Sequence, residues 1–126
     1  MAITIIPIGK TSPTNPDVPM LYYPKAIKTG EIDLEELSEQ IAYSSSLTQA
    51  DCYAVIISLV AIVSRELDAG KIVRLGNLGA FQISVKGTAS ATPEELTPKN
   101  VRSASVIFRS DKKFKMMLKG LQFVRK

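Results

Sequence analysis

The segment between Thr48 and Gly70 is apolar around almost the whole circumference of a helix, which restricts the possible folds more than any other feature. Thr48 is a typical N-cap with an acid, Asp51, three residues later, and Gly70 is a typical helix stop. A helix that is apolar on every side must be buried on nearly every side. One chain of 126 residues offers few elements to surround it, so the pattern favours an intertwined homodimer over a monomer with its own core. The predicted interface residues are Val55, Ile56, Leu59, Val60, Val63 and Phe81.

Residues 73–81 read Val-Arg-Leu-Gly-Asn-Leu-Gly-Ala-Phe, with two glycines three apart between apolar runs. Gly76 and Gly79 can adopt the positive φ that a tight turn or a bulge needs. Apolar and polar residues then alternate from Phe81 to Val85, as they do in a strand with one buried face. The segment therefore predicts a β-hairpin directly after the long helix.

Residues 1–30 are predicted to form an extension with a short strand and a proline-rich loop. Residues 3–8 alternate loosely between apolar and polar types, and residues 11–19 contain three prolines. A first helix begins at Asp33, an N-cap with an acid three residues later, and ends at a cluster of serines. Residues 31–126 are therefore predicted to form one main domain.

The chain after the hairpin is predicted to contain an excursion from the sheet, a strand and a short helix. The excursion covers about residues 86–105, which hold two prolines and many small polar residues. A strand follows at 106–108, and a basic helix then begins at residue 110 or 111 and ends at Lys119. Its predicted apolar stripe is Phe114, Met117 and Leu118.

The composition excludes several classes of chemistry. The chain has no histidine and a single cysteine, Cys52, which lies in an apolar helical run and is predicted to be a small buried hydrophobe. Zinc sites and histidine-based acid–base catalysis are therefore excluded. The acids between residues 31 and 51 fit helix capping and a solvated helix face better than a catalytic carboxylate pair. We expect no enzyme, no cofactor, no metal and no small-molecule substrate.

The sequence also predicts a cytoplasmic protein without a membrane segment. Its longest apolar run, residues 54–63, is much shorter than the ~20 residues that span a bilayer. The first nine residues lack the basic start and the cleavage site of a signal peptide. A single cysteine suits a reducing compartment.

Charge is distributed unevenly along the chain, whose formal net charge is +4. Residues 31–51 contain acids but no lysine or arginine, whereas residues 109–126 contain seven cationic side chains and one acid. The final helix, with Lys112 and Lys115, could make phosphate contacts that do not depend on nucleic-acid sequence. At this point the alternative stays open that its lysines only keep the protein in solution.

The order of these elements resembles the HU and integration host factor family of bacterial DNA-binding proteins. The family pattern is a hairpin that ends in Gly-x-Phe and, after an arm, Phe-x-x-Gly-Lys-x-x-Lys. Residues 79–81, Gly-Ala-Phe, match the first motif, and Phe108, Lys112 and Lys115 match the second. The similarity extends from Asp33 to about residue 123. Residues 1–30 resemble the extension of longer HU-like variants found in Bacteroides-type bacteria.

The resemblance implies an α+β, HU-like intertwined dimer. In this architecture two N-terminal helices form the base, a three-stranded antiparallel sheet with arms forms a saddle for double-stranded DNA, and a short C-terminal helix completes the domain. The implied function is sequence-neutral binding of double-stranded DNA by a nucleoid protein. The residues expected to bind DNA are Arg74, Lys86, Lys99, Arg102, Arg109, Lys112, Lys113, Lys115 and Lys119.

The chain departs from the family in its arm and at Asp111, which replaces the glycine of the second motif. The family's arm carries Arg-Asn-Pro-x-Thr-Gly, in which the proline wedges between base steps. Residues 92–100 read Thr-Pro-Glu-Glu-Leu-Thr-Pro-Lys-Asn instead. Thr92 before Pro93, with Glu95 three residues after Thr92, predicts a partly helical arm. An HU-like scaffold or interaction module with weak or no DNA binding is therefore the alternative function.

Overall fold

A computed structural model describes residues 2–11, 14–15 and 17–126. These residues contain three α-helices and six β-strands, which confirms the predicted α+β class. In chain order the elements are β1 (Ile3–Lys10), β2 (Leu21–Ala26), α1 (Leu34–Tyr43), α2 (Gln49–Asp68), β3 (Val73–Arg74), β4 (Gly79–Gly87), β5 (Val101–Ser110), α3 (Lys112–Lys119) and β6 (Phe123–Arg125). The chain divides into two compact units: a central unit, Leu34–Met116, and a terminal unit, Met1–Asp33 with Met117–Lys126.

The chain starts with two strands, so the two helices predicted at the N-terminus of the fold come third and fourth among its elements. The strand at 3–8 was predicted and is observed as β1. β2 was not predicted, because Pro24 interrupts its pattern and proline is tolerated only on edge strands. The predicted loop at 11–19 includes residues 12, 13 and 16, which lie outside the described residues.

The terminal unit is built on a three-stranded sheet in the order β2-β1-β6. β1 pairs with β2 in antiparallel register, with Ile8 opposite Tyr23, and with β6 in parallel register, with Ile3 opposite Phe123. The backbone N–H of Ile3 donates to the carbonyl of Gln122 at 2.8 Å. Residues more than 100 positions apart are therefore joined in one sheet.

Both ends of α2 have the capping geometry that the sequence predicts. The Thr48 side chain accepts a hydrogen bond from the Asp51 N–H at 3.1 Å. At the other end Gly70 has a φ of 84°, and the N–H groups of Gly70 and Lys71 donate to the carbonyls of Leu67 and Glu66. This is a Schellman motif, which satisfies carbonyls that would otherwise have no partner.

The side chain of Glu66 forms ion pairs with two cations at this helix end. Its carboxylate lies 2.9 Å from the Lys71 ammonium and 3.5 Å from the Arg65 guanidinium. The hydrogen bond and the charge of Lys71, with a smaller effect of Arg65, lower the pKa of Glu66. The carboxylate therefore stays ionised at neutral pH and holds two cations at the end of α2.

The buried side chains of the described residues belong to α1 and α2. Cys52 is 2% exposed, as predicted for a small hydrophobe, and Leu67 is also buried. Ser38 is buried on α1, and its hydroxyl donates to the carbonyl of Leu34 at 2.6 Å, so no polar group is left unsatisfied there. None of the helices in the described part of the chain has the length and hydropathy needed to cross a membrane.

The opposite side of α2 stays open within one chain. Val55 is 61% exposed and Val60 is 57% exposed, and Leu59 is also exposed. Ile56 and Val63 are half-buried. The single chain therefore does not provide the all-round burial that the apolar pattern of this helix requires.

β3, β4 and β5 form an antiparallel sheet in that order. In the hairpin the Leu75 N–H donates to the carbonyl of Gly79, and both Gly76 and Gly79 have positive φ. β4 and β5 stay paired up to Gly87 and Val101, so the connection between them, residues 88–100, is shorter than the excursion predicted at 86–105. The strands extend further because the backbone pairing continues beyond Val106, with Val85 opposite Ala104 and Lys86 opposite Ser103.

The connection at 88–100 is ordered by one side chain. The Asn100 side-chain amide donates to the Thr88 hydroxyl at 3.1 Å, and its carbonyl oxygen accepts from the Thr97 N–H at 2.9 Å. Two short 3₁₀ turns form, Pro93–Glu95 and Pro98–Asn100, which fits the predicted partly helical character. Thr92 makes no side-chain capping bond, so the proline rather than the cap starts the first turn.

We predict that Gly79→Ala destabilises the protein by about 2 kcal/mol or more. Gly79 has a φ of 149°, and an added Cβ would meet the carbonyl oxygen of Arg109 and lie 2.8 Å from Cζ of Phe108. Gly30→Ala is the control, because a Cβ there meets nothing within 4 Å. Urea unfolding at one protein concentration measures both variants, and equal stabilities would contradict the prediction.

Candidate nucleic-acid interface

The sheet of the central unit has one apolar face and one polar face. Paired residues of neighbouring strands point to the same side, and side chains alternate along each strand. Phe81 and Ile83 of β4 pair with Phe108 and Val106 of β5 and share the apolar face. The polar face carries the other set of side chains: Arg74, Ala80, Gln82, Ser84, Lys86, Ser103, Ser105, Ile107 and Arg109.

Two arginines lie side by side across this polar face. Ala80 pairs with Arg74 of β3 on one side and with Arg109 of β5 on the other. Neighbouring strands are about 4.8 Å apart, so the two arginine Cα atoms are about 10 Å apart with a methyl group between them. The small side chain of Ala80 leaves both guanidinium groups free to extend from the face.

Three phenylalanines attach α3 to the sheet. The ring centroids of Phe81 and Phe108 are 4.9 Å apart, and those of Phe108 and Phe114 are 6.5 Å apart, both in tilted arrangements that favour aromatic contact. The Asp111 N–H also donates to the carbonyl of Leu78 in the hairpin at 3.2 Å. The start of α3 is therefore held against the sheet by side chains and by backbone.

Asp111 shapes the first turn of α3. Its side chain accepts from the Lys112 N–H at 2.8 Å, and its carbonyl accepts from the N–H groups of Phe114 and Lys115. A carboxylate is favourable at a helix N-terminus, where the backbone N–H groups point outward. This accounts for an acid in a strongly basic segment.

The polar face and the start of α3 form one open groove of about 610 Å³, which we call the sheet groove. Arg74, Arg109 and Lys115 bring three positive charges to it, and Asp111 brings one negative charge. Asn77 and Gln82 add neutral hydrogen-bonding groups. The groove is therefore cationic, polar and open to solvent, as a surface for an extended anion must be.

The sheet groove unites three of the nine predicted DNA-binding residues. Helical spacing places Lys112 on the same face of α3 as Lys115, and Lys113 about 100° away from Lys112. Lys86 lies further along the polar face, and Lys99 and Arg102 lie at and beside the connection at 88–100. Lys119 belongs to the terminal unit. All nine side chains are exposed.

The sequence reasoning missed the neutral part of the groove. Gln82 lies beside Arg109 on the polar face, and Asn77 sits in the hairpin turn. The alternation of side chains along a strand could have identified Gln82. It lies two positions from Ala80 and four from Lys86, so all three point to the same face of the sheet. The role of Asn77 depends on how the turn folds back, which the pattern does not encode.

Comparison with known proteins identifies the family. The family described as "HU domain fused to wHTH, Ig, or Glycine-rich motif" matches residues 4–125. The chain belongs to this HU-HIG family. HU proteins are DNA-binding architectural proteins and not enzymes, which confirms the prediction that the chain is not an enzyme. No curated protein matches this chain.

Two solved structures share the HU-like fold. A candidate bacterial DNA-binding protein from Bacteroides vulgatus ATCC 8482 has a TM-score of 0.65 and 15% identity, over 97% of this chain and 47% of its own. This HU-HIG chain thus spans about half the length of that protein. HU from Anabaena, in a cocrystal structure with DNA, has a TM-score of 0.54 and 19% identity, over 71% of this chain and 99% of its own.

We predict that Phe114→Ala lowers the free energy of unfolding by about 2 kcal/mol, because half-buried Phe114 is the aromatic contact of α3 with Phe108. Met116→Ala shortens an exposed side chain of the same helix and is expected to change stability by less than about 0.5 kcal/mol. Thermal unfolding followed by circular dichroism compares the two. A Phe114→Ala protein as stable as Met116→Ala would show that the ring cluster does not hold α3.

Proposed function

We propose that this chain is an HU-like architectural protein that binds double-stranded DNA as a homodimer, through phosphate contacts and with little preference for base sequence. The proposal rests on one observation: Arg74, Arg109 and Lys115 line the same solvent-open groove. Cationic side chains on an exposed surface bind phosphate oxygens, and these contacts are the same for every base sequence. Membership of the HU-HIG family supports this assignment.

The proposed DNA contacts extend outward from the sheet groove. Lys112 and Lys113 lie at the start of α3, and Lys86 lies on the same polar face as the two arginines. Lys99, Arg102 and Lys119 complete the proposed set. Such a protein would belong in the bacterial nucleoid, within the cytoplasm, because its ligand is there.

The proposed homodimer rests on the open side of α2. Ala54, Val55, Leu59 and Ile62 line an apolar groove along this helix. Val85 and Val106 on the apolar face of the sheet are also exposed. Exposed apolar surfaces of this kind mark protein interfaces, and a second copy supplies a self-complementary helix. We propose that the partner chain covers these residues together with Ile56, Val60, Val63 and Phe81.

The connection at 88–100 takes the place of the DNA-inserting arm in this proposal. Glu94 and Glu95 stand in its first 3₁₀ turn, and the Asn100 hydrogen bonds keep it compact. Two carboxylates are repelled by the phosphates that border a DNA groove. We therefore propose that duplex DNA is bound mainly by the sheet groove and bends less than it does around an HU protein with a wedging proline.

Residues 1–30 are proposed to make the chain a longer HU variant of the Bacteroides type. The Anabaena HU structure corresponds to 71% of this chain, whereas the Bacteroides vulgatus structure corresponds to 97% of it. Strands β1 and β2 lie within residues 1–30. The higher coverage by the Bacteroides vulgatus structure supports the proposal of a longer variant, with residues 1–30 as an extension of the HU-like domain at 31–126.

The acidic connection favours a second candidate function, an HU-like scaffold that binds DNA weakly or not at all. The pair Glu94 and Glu95, with Asp111 in the sheet groove, reduces the attraction for DNA at the places where the family resemblance implies positive charge. In this alternative the dimer is retained and the cationic residues serve solubility. The salt dependence of DNA binding separates the two functions.

We predict that Arg74→Ala/Lys115→Ala makes the slope of log affinity against log salt shallower by about two units for each subunit that contacts a random-sequence duplex, since each phosphate contact contributes about 0.9. The matched control is Arg65→Ala/Lys71→Ala, which removes the same charge from the end of α2, where both cations contact Glu66. Fluorescence anisotropy at several salt concentrations gives the slopes. Equal slopes for the two double variants would reject the sheet groove and favour the scaffold.

We predict that Leu59→Asp unfolds the protein instead of producing a folded monomer, because it buries an unpaired charge in the proposed interface. Tyr43→Asp places the same charge on a side chain that is 95% exposed and should leave the fold intact. Analytical ultracentrifugation and circular dichroism are the measurements. A wild-type protein that sediments as a stable monomer of 13.7 kDa at micromolar concentration would refute the dimer.

A further inference from the structure

One face of the terminal-unit sheet carries exposed aromatic and cationic side chains. Tyr22 pairs with Gly9, Arg125 with Ile5, and Phe123 with Ile3, and these positions of β1 have the same parity. The three side chains therefore point to the same side of the sheet. They follow one another along β1 in the order Tyr22, Arg125, Phe123. Tyr22 is 66% exposed and Phe123 is 58% exposed.

Gly9 gives Tyr22 a supported position on this face. A Cβ added at Gly9 would meet the Met20 thioether first and would lie 3.2 Å from Cε1 of Tyr22, so both side chains lie beside backbone that has no side chain. The edge of the ring is thus placed beside Gly9 and the Met20 side chain, and the ring as a whole stays largely exposed. An aromatic ring fixed in this way loses little freedom when a flat group stacks on it.

A shallow groove lies beside the ring. Its lining includes Ile5, Pro7, Pro24 and Arg125 together with Tyr22, and its volume is about 160 Å³. This is smaller than the roughly 300–1,000 Å³ of a typical small-molecule pocket. Its apolar floor and single cationic side chain suit a planar ring that has an anionic group attached.

The net positive charge of the terminal unit also favours an anionic ligand. Its sequence contains six cationic side chains and three acidic ones. The cations are Lys10, Lys25, Lys28, Lys119, Arg125 and Lys126, and the acids are Asp17, Glu31 and Asp33. A partner of negative charge is therefore favoured over a basic peptide.

We propose that this face binds single-stranded nucleic acid, with an unpaired base stacked on Tyr22, the neighbouring phosphate on Arg125 and a further base on Phe123. Aromatic rings that alternate with cations match the alternation of bases and phosphates along a single strand. Duplex DNA hides its base faces within the stack, so it cannot use these rings. The site lies on the terminal unit and does not rest on the function proposed for the sheet groove.

The test uses the full chain with fluorescein-labelled 20-nucleotide oligo(dT), oligo(U) and a random 20-base-pair duplex, measured by anisotropy. Tyr22→Ala should weaken oligonucleotide binding by about tenfold, the size of effect expected for one stacked base, and leave duplex binding unchanged. Tyr22→Phe keeps the ring and should retain the affinity. Tyr43→Ala, an exposed tyrosine on α1, should change neither.

A second variant separates charge from fold. Arg125→Gln should make the salt dependence of single-strand binding shallower by about 0.7 units, the value for one phosphate contact, with an unchanged melting temperature. Binding of either oligo(dT) or oligo(U) with these variant effects supports the proposal. It is overturned if neither oligonucleotide binds, if Tyr22→Ala binds as wild type, or if Tyr22→Ala instead abolishes self-association in sedimentation. If the duplex fails to bind in the same assay, only the function proposed for the sheet groove is contradicted.

Discussion

The contact of Phe108 with Phe81 on one side and Phe114 on the other is the interaction on which the central unit depends. Residues alternate along a strand, so placing these rings on one face commits Arg74, Ala80 and Arg109 to the other. Phe114 also determines how α3 is rotated, and Lys112 and Lys115 therefore point away from the aromatic side. The cationic groove is thus a geometric result of apolar packing on the reverse face.

The sequence predicts well those elements whose signals are local. Thr48 and Gly70 set the ends of α2 through backbone hydrogen bonds to residues within five positions, and the two hairpin glycines meet a conformational need that other residues meet poorly. The lysines of α3 were found in the same way, because they share one short helix. In each case the decisive interaction lies within a few residues of the chain.

The structure adds what local patterns do not encode. The meeting of Arg74, Arg109 and Lys115 depends on strand register, which joins residues from three separate segments. The pairing of β1 with β6, which places Arg125 on the same face as Tyr22, was not predicted, since β6 has three residues and its partner strand lies at the other end of the chain. The structure also shows that apolar residues of α2 are exposed within a single chain. The hydrophobicity pattern alone only suggests that this helix needs a partner.

The parallel pairing of Ile3 with Phe123 has a consequence for the order in which the molecule is assembled. A chain emerging from the ribosome exposes β1 long before its neighbour β6 exists, while the hairpin of β1 and β2 can form early. Pairing β1 with β6 closes a long loop of the chain. The conformational entropy lost in closing this loop is not offset by local contacts. The central unit lies between the two strands in sequence, and its folding shortens the distance that this closure must span. We therefore expect the third strand to be added last, after the helices and the other sheet have formed.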